Sequence, residues 1–109
     1  MSQRKIIIAV SPTGGSVMKK DTPHVPTQPE EIAGVVEECF HLGASMAYLH
    51  VRTPTDAPCC DPAIYTELNK LIRARCPGMV LNNSTGGGLA GDMVREYSPG
   101  KFEVRLEER

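Results

Sequence analysis

The chain alternates short apolar segments with longer amphipathic ones, and this alternation is the feature that most restricts its fold. The apolar segments are RKIIIAV at 4–10, SMAYLHV at 45–51 and MVLNNS at 79–84. Their lengths and branched side chains predict strands, and the unbroken run of the first predicts burial on both faces of a sheet. Apolar residues at helical spacing lie between them, so the sequence predicts the order β-α-β-α-β, with parallel strands and right-handed crossovers.

Capping signals mark the ends of both predicted helices. Thr27 followed three residues later by Glu30 predicts a capping box at the start of the first helix, and Gly43 is expected to end it. Asp61 before Pro62 predicts an N-cap with proline at the first helical position. The pattern weakens beyond the third strand, and residues 91–109 are expected to be irregular or frayed, or to add a fourth strand.

Length and charge exclude several classes of function. A chain of 109 residues forms one domain at most. With 12 basic and 13 acidic residues the net charge is -1, which argues against nucleic acid or an anionic membrane as a partner. The longest apolar run, 6–10, is too short to cross a bilayer, and no adequate signal-peptide core follows the first residues. We therefore expect a cytoplasmic protein whose partners are either small neutral ligands or other proteins.

Polar residues follow each predicted strand, where the loops of a parallel α/β fold meet at one rim and bind ligands. STGGG at 84–88 offers hydroxyls and backbone N–H groups for an anion, a carboxylate or a carbonyl oxygen, but it lacks the lysine of a P-loop. Strand alternation puts Tyr48, His50 and Arg52 on one face. His50 is either a structural residue or a ligand, and Arg52 suits either an anionic substrate group or an acidic partner at the rim.

Three segments together resemble one known family. TGGSVMKKDTPHVPTQPEEIA at 13–33, GASMAYLHVR at 43–52 and NNSTGGG at 82–88 are similar, in order and spacing, to the amino-terminal part of the β-keto acid cleavage enzymes. The resemblance implies the opening β-α-β-α-β portion of a TIM (β/α)₈ barrel, within an oligomer. It implies acetyl-CoA-dependent acyl transfer from a β-keto acid, which gives acetoacetyl-CoA by a retro-Claisen route with Zn²⁺ as the metal.

The resemblance also implies roles for individual residues. His50 corresponds to one histidine of the family's metal-binding pair, and Tyr48, whose phenol is a poor metal donor at neutral pH, stands where the other should be. The expected substrate-binding residues are Ser84, Thr85, Gly86, Gly87, Ser16 and Arg52. Ser16 replaces a glutamate that recognises an amino group in some members, which argues against an amino-bearing substrate.

The length of the chain leaves two further hypotheses open. A complete barrel needs about 250 residues, so this single partial domain, residues 1–109, is expected to be inactive or impaired by itself. The alternative is a non-catalytic α/β fragment that associates with itself and so buries open sheet edges. A third hypothesis is a small flavodoxin-like sheet that holds a phosphate at STGGG.

Overall fold

A three-stranded parallel sheet forms the centre of the computed structural model, which describes residues 3–85 and the backbone of residues 94–104. Its strands are β1 (Ala9–Val10), β2 (Met46–Leu49) and β5 (Val80–Asn83), in the order β1-β2-β5. Central β2 pairs in parallel with both neighbours. Parallel neighbours require crossover connections, and a helix lies in each of them. The predicted parallel α/β organisation is therefore confirmed.

Two helices, α1 (Pro29–His41) and α2 (Pro62–Arg75), form one core with the central strand. The largest of their buried apolar side chains are Ile32, Val36, Leu68 and Ile72, which are at most 1% exposed and lie in one cluster with Ala47 and Leu49 of β2. Burying such a side chain contributes about 1.5–3 kcal/mol. The predicted N-cap of α2 is confirmed, because the Asp61 carboxylate accepts a hydrogen bond of 2.9 Å from the Ala63 N–H.

The start of α1 differs from the sequence prediction. Its N-cap is Gln28, which makes no side-chain capping bond. The Thr27 hydroxyl instead donates to Asp56 Oδ1 at 2.5 Å, and the residue is fully buried. The predicted capping box is therefore wrong, because a distant carboxylate competes successfully for the hydroxyl that the box would use.

The first strand is also shorter and more exposed than its sequence predicts. Only Ala9 and Val10 are paired as a strand, while Ile6, Ile7 and Ile8 are 84%, 74% and 52% exposed. The prediction of a strand 4–10 buried on both faces is wrong for a physical reason. β1 lies at an edge of the described sheet and pairs with β2 through two residues alone, so the preceding isoleucines lack a covering layer there.

Two antiparallel hairpins were not predicted. β3 (Val51–Arg52) pairs with β4 (Pro58–Cys59) around a turn in which Asp56 has a left-handed φ of 70°. β6 (Val94–Ser98) pairs with β7 (Lys101–Val104), and Gly100 takes the positive φ of 72° that their tight turn needs. Residues 94–104 thus form a hairpin, and β7 lies within the segment for which an added strand was one of the two expectations; 91–93 and 105–109 lie outside the described residues. Neither described helix is long and apolar enough to span a membrane.

Candidate functional site

The carboxyl ends of β2 and β5 bring Tyr48 and Ser84 together. Tyr48 pairs in register with Asn82, and alternate residues of neighbouring strands share a face. The Tyr48 hydroxyl donates to Ser84 Oγ at 3.1 Å. The Tyr48 and His50 rings lie edge to face, with centroids 4.9 Å apart and an interplanar angle of 85°. The prediction that these two rings share a face is confirmed, and Asn82 is a neighbour that sequence reasoning missed.

A residue of α2 forms a hydrogen bond with the backbone of Ser84. The buried Tyr65 hydroxyl lies 2.8 Å from the Ser84 carbonyl oxygen and 3.3 Å from that of Leu49, and the Ser84 N–H donates to the same Leu49 oxygen at 2.8 Å. Burial above all, with smaller contributions from Cys59 and Tyr48, raises the pKa of Tyr65 to about 12. Tyr65 therefore stays protonated at neutral pH and holds the backbone of Ser84 in place.

Sequence reasoning missed Tyr65, although a signal was present. Tyr65 lies three and seven residues before Leu68 and Ile72, on the apolar face of α2. A phenol on such a face needs a buried hydrogen-bond partner. Backbone carbonyl oxygens at the end of a neighbouring strand could have been predicted as that partner.

His50 occupies the short break between β2 and β3 with one ring nitrogen withdrawn from solvent. Its Nδ1 is buried and has no hydrogen-bond partner in the described part of the chain. Burial is the main cause that lowers the pKa of the imidazole, and the charge of Arg52 also lowers it. A hydrogen bond with the Thr13 backbone acts in the opposite direction and raises the pKa. A neutral imidazole with an unused nitrogen is able to bind a metal ion or to accept a proton.

Arg52 is 1% exposed, and its guanidinium contacts loops on both sides. Its Nε and Nη2 both donate to the carbonyl oxygen of Gly14, at 3.1 and 2.7 Å. The guanidinium also donates to the carbonyl oxygens of Val17 (2.8 Å) and Asp56 (3.1 Å) and to Met18 Sδ (3.2 Å). A guanidinium has five N–H donors, and these contacts use all of them. No acidic side chain of the described residues forms an ion pair with Arg52. The N–H groups of Arg52 are thus used by the loop of residues 13–18 and by the β3–β4 turn.

A second cluster joins the β3–β4 turn to the start of α1. Asp56 Oδ1 accepts from the Thr27 hydroxyl and, at 2.9 Å, from Gln28 Nε2. These two hydrogen bonds lower the pKa of Asp56. Gln28 also donates to the Thr53 carbonyl oxygen at 3.2 Å. The turn and the helix start are therefore one connected unit, which the sequence did not indicate.

The remaining predicted site residues fall into two groups. Ser16 and Thr85 are exposed at the rim, where a ligand could reach them. Gly86 and Gly87 lie outside the described residues, so their predicted role is untested. Within residues 3–85 and 94–104, no three histidine, cysteine, aspartate or glutamate side chains lie close enough to hold a metal ion.

Comparison with known proteins identifies the family. Residues 5–107 match the model of the beta-keto acid cleavage enzymes. The chain is 36% identical over 102 residues to a 3-keto-5-aminohexanoate cleavage enzyme of Fusobacterium nucleatum, a match that covers 94% of this chain and 38% of the relative. It is 36% identical over 87 residues to a 3,5-dioxohexanoate:acetyl-CoA acetone transferase of Paraburkholderia graminis, covering 79% of this chain and 28% of the relative.

A third relative carries a different substrate in its name. The chain is 35% identical over 81 residues to a 3-oxoadipate:acetyl-CoA acetyltransferase of Cupriavidus necator, covering 74% of this chain and 28% of the relative. This chain thus spans between 28% and 38% of the length of these three relatives. Their names share a small keto acid, and two of them also name acetyl-CoA.

Proposed function

Because the chain belongs to the β-keto acid cleavage enzyme family, we propose that it takes part in the acetyl-CoA-dependent cleavage of a small β-keto acid. The carbon–carbon bond between the keto carbon and the carboxymethyl group breaks by a retro-Claisen route. The acyl part takes the CoA and leaves as a CoA ester, acetoacetyl-CoA for a dioxo acid, while the carboxymethyl carbon takes the acetyl group of acetyl-CoA and leaves as acetoacetate. The substrate class follows from the family and from relatives whose names pair a keto acid with acetyl-CoA.

One observation carries this proposal. Tyr48, His50 and Ser84 converge at the carboxyl ends of two parallel strands, at the edge where α/β folds bind ligands. In the proposed site Ser84 and Thr85, with the backbone of Gly86 and Gly87, hold the carboxylate or keto oxygen. Ser16, at the exposed rim, faces the variable end of the substrate, and a hydroxyl there favours a substrate without an amino group.

The larger architecture is part of the proposal. The order β1-β2-β5 with intervening α1 and α2 is consistent with the first three strands and two helices of a (β/α)₈ barrel. In a barrel, the sheet face that carries Tyr48 and Asn82 would line the interior. The face buried by the two helices would be the outer layer.

Zinc does not fit the described residues. A catalytic zinc site uses three protein ligands, and no three histidine, cysteine, aspartate or glutamate side chains of the described residues lie together; His50, whose buried Nδ1 has no partner among them, is one candidate ligand. The Tyr48 oxygen, which would be the second ligand, is engaged with Ser84. His50 could therefore supply one ligand to the family's metal, but the described residues alone do not complete a zinc site.

A product assay tests the proposed function. Purified chain is incubated with acetyl-CoA and either 3,5-dioxohexanoate, 3-oxoadipate or 3-keto-5-aminohexanoate, and CoA esters are identified by mass spectrometry. Because the chain alone is expected to be impaired, we expect slow but detectable formation of a new CoA ester from at least one substrate without an amino group, and its loss in Ser84→Ala. Absence of product from all three substrates, with folded protein, would reject catalysis by this chain.

A specific observation favours self-association as a second function. Ile6, Ile7 and Ile8 at one edge strand and Val80 (57% exposed) at the other leave apolar side chains uncovered in the described sheet. Edge strands with such side chains promote pairing with another copy. We expect sedimentation to detect dimers or larger species, which Ile7→Lys weakens and which the control Leu42→Lys, at an 87% exposed site after α1, leaves unchanged. A stable monomer would contradict this function.

A further inference from the structure

The Gly14–Gly15 peptide is held by Arg52 through two hydrogen bonds to its carbonyl oxygen. Nη2 lies 2.7 Å and Nε 3.1 Å from the Gly14 oxygen. The peptide is trans, so the Gly15 N–H points to the side opposite the guanidinium. Gly15 itself is exposed, and no acceptor in the described ranges takes up its N–H. A buried cation therefore fixes the direction of a backbone donor that faces outward.

A second peptide in the same loop has the same arrangement with its acceptor in place. Arg52 Nη2 donates to the Val17 carbonyl oxygen at 2.8 Å, and the Met18 N–H on the other side of that peptide donates to the Asp21 carboxylate at 2.9 Å. A charge-assisted bond to the carbonyl oxygen of a peptide strengthens its N–H as a donor. Within this molecule, a peptide held by Arg52 thus already binds a carboxylate.

We propose that the Gly15 N–H binds a carboxylate of a small organic acid at the rim and that Arg52 is the residue that positions it. The charge of Arg52 reaches the ligand through the Gly14–Gly15 peptide, because its own N–H groups are all used by the loops. The inference rests on the proposed function for the identity of the acid, a keto acid with a second carboxylate at its variable end, as in 3-oxoadipate; this end is the one that Ser16 faces in the proposed site. The loop lies at the carboxyl end of β1, on the same rim as Ser84.

Backbone amide NMR of the ¹⁵N-labelled chain tests the site directly. The chain is titrated with 3-oxoadipate, with acetate as the carboxylate alone, and with acetone as the ketone alone. We expect the Gly15 amide to shift saturably with 3-oxoadipate and acetate and to stay unchanged with acetone. An unmoved Gly15 amide in acetate and 3-oxoadipate would overturn the proposal, as would an equal shift in acetone.

Two pairs of variants separate positioning from general stability. Arg52→Lys keeps the charge but cannot make the bidentate contact, and we expect about tenfold weaker acetate binding at Gly15. The matched control is Arg73→Lys, because Arg73 also donates to a carbonyl oxygen, that of Met79 at 2.7 Å, after α2. Equal binding in wild type and Arg52→Lys would overturn the positioning role.

The second pair changes the donor itself and stays informative if Arg52→Lys fails to fold. Gly15→Pro removes the N–H, whereas Gly15→Ala keeps it, and an added Cβ there would meet only Pro58 Cβ at an ordinary 3.9 Å. We expect acetate binding in the alanine variant and its loss in the proline variant. Retained binding in Gly15→Pro would overturn the proposal.

The outcomes also separate this inference from the proposed function. Carboxylate binding at Gly15 without a CoA-ester product would support the site and reject the activity. Product formation with an unmoved Gly15 amide would support the activity and reject the site.

Discussion

The Tyr48 hydroxyl lies 3.1 Å from Ser84 Oγ and ties the ends of two neighbouring parallel strands together. Backbone pairing joins Met46–Leu49 of β2 to Val80–Asn83 of β5, so this side-chain bond runs from the paired Tyr48 to Ser84, the first residue after β5. It joins a position that the family likeness assigns to a metal ligand with one that it assigns to substrate binding. The same phenol thus has a structural partner at the position where the family likeness implies a metal ligand.

Removing the Tyr48 hydroxyl is expected to cost little stability. Tyr48→Phe keeps the ring against His50 and removes one neutral hydrogen bond at a site that is 37% exposed. We expect the free energy of unfolding to fall by about 0.5–1 kcal/mol in urea denaturation. Ser84→Ala and the double variant complete a mutant cycle; additive losses would show that the two hydroxyls are not coupled.

Restoring a histidine at position 48 is expected to strengthen zinc binding. Tyr48→His places two imidazoles on one face of the strand, which is the spacing that lets both ligate one ion. Zinc affinity of the purified chain, measured by competition with a chelator, should rise in the variant. Tyr48→Phe is the control with no new ligand. Unchanged affinity in Tyr48→His would mean that the described strand ends do not assemble a metal pocket.

Removing the Tyr65 hydroxyl is expected to cost more than removing that of Tyr48. Tyr65→Phe takes a donor from the buried carbonyl oxygens of Leu49 and Ser84. The expected loss is about 1–3 kcal/mol in urea denaturation. Thr66→Ala removes an exposed hydroxyl bond from the same helix and should change stability by less than about 0.5 kcal/mol. Equal effects in the two variants would contradict a buried role for Tyr65.

Alkaline pH should weaken the folded state through Tyr65. The folded-state pKa of about 12 lies above the ordinary tyrosine pKa of 10.0, so the folded state holds this proton more tightly than the unfolded state. The resulting stability is fully present below pH 10.0 and is lost as the pH rises from there through about 12. The absorbance of tyrosinate should include one late-titrating tyrosine, which Tyr65→Phe removes. Titration of every tyrosine near 10 would refute the burial effect.

Acid should weaken the folded state through Asp56. Hydrogen bonds from Thr27 and Gln28 lower its folded-state pKa below the ordinary aspartate pKa of 3.8. This contribution is therefore present above pH 3.8 and is lost as the pH falls through the folded-state pKa. Asp56→Asn removes the charge and tolerates the left-handed φ of 70°, so it should flatten the acid limb of the stability curve. An unchanged acid limb would show that Asp56 does not contribute.

Local sequence patterns determined the order of the helices and strands and the shared face of Tyr48 and His50. Apolar spacing predicts the sequence β-α-β-α-β, and the aspartate–proline pair predicts the N-cap of α2, because both depend on residues within one or two turns of each other. Strand alternation likewise predicts that Tyr48 and His50 share a face. These features could be read from the sequence because short-range geometry alone produces them.

Tertiary structure decided which partner each polar group takes. Thr27 lies at a predicted capping position, but its hydroxyl binds Asp56, 29 residues away. Arg52 was expected to bind a ligand or an acidic side chain, but its N–H groups donate to carbonyl oxygens of the loop. Tyr65 reaches Ser84 across 19 residues. Several acceptors compete for each of these donors, and the choice depends on which of them packing brings within hydrogen-bond distance. Local sequence does not encode that distance, whereas the folded arrangement of strands and loops fixes it.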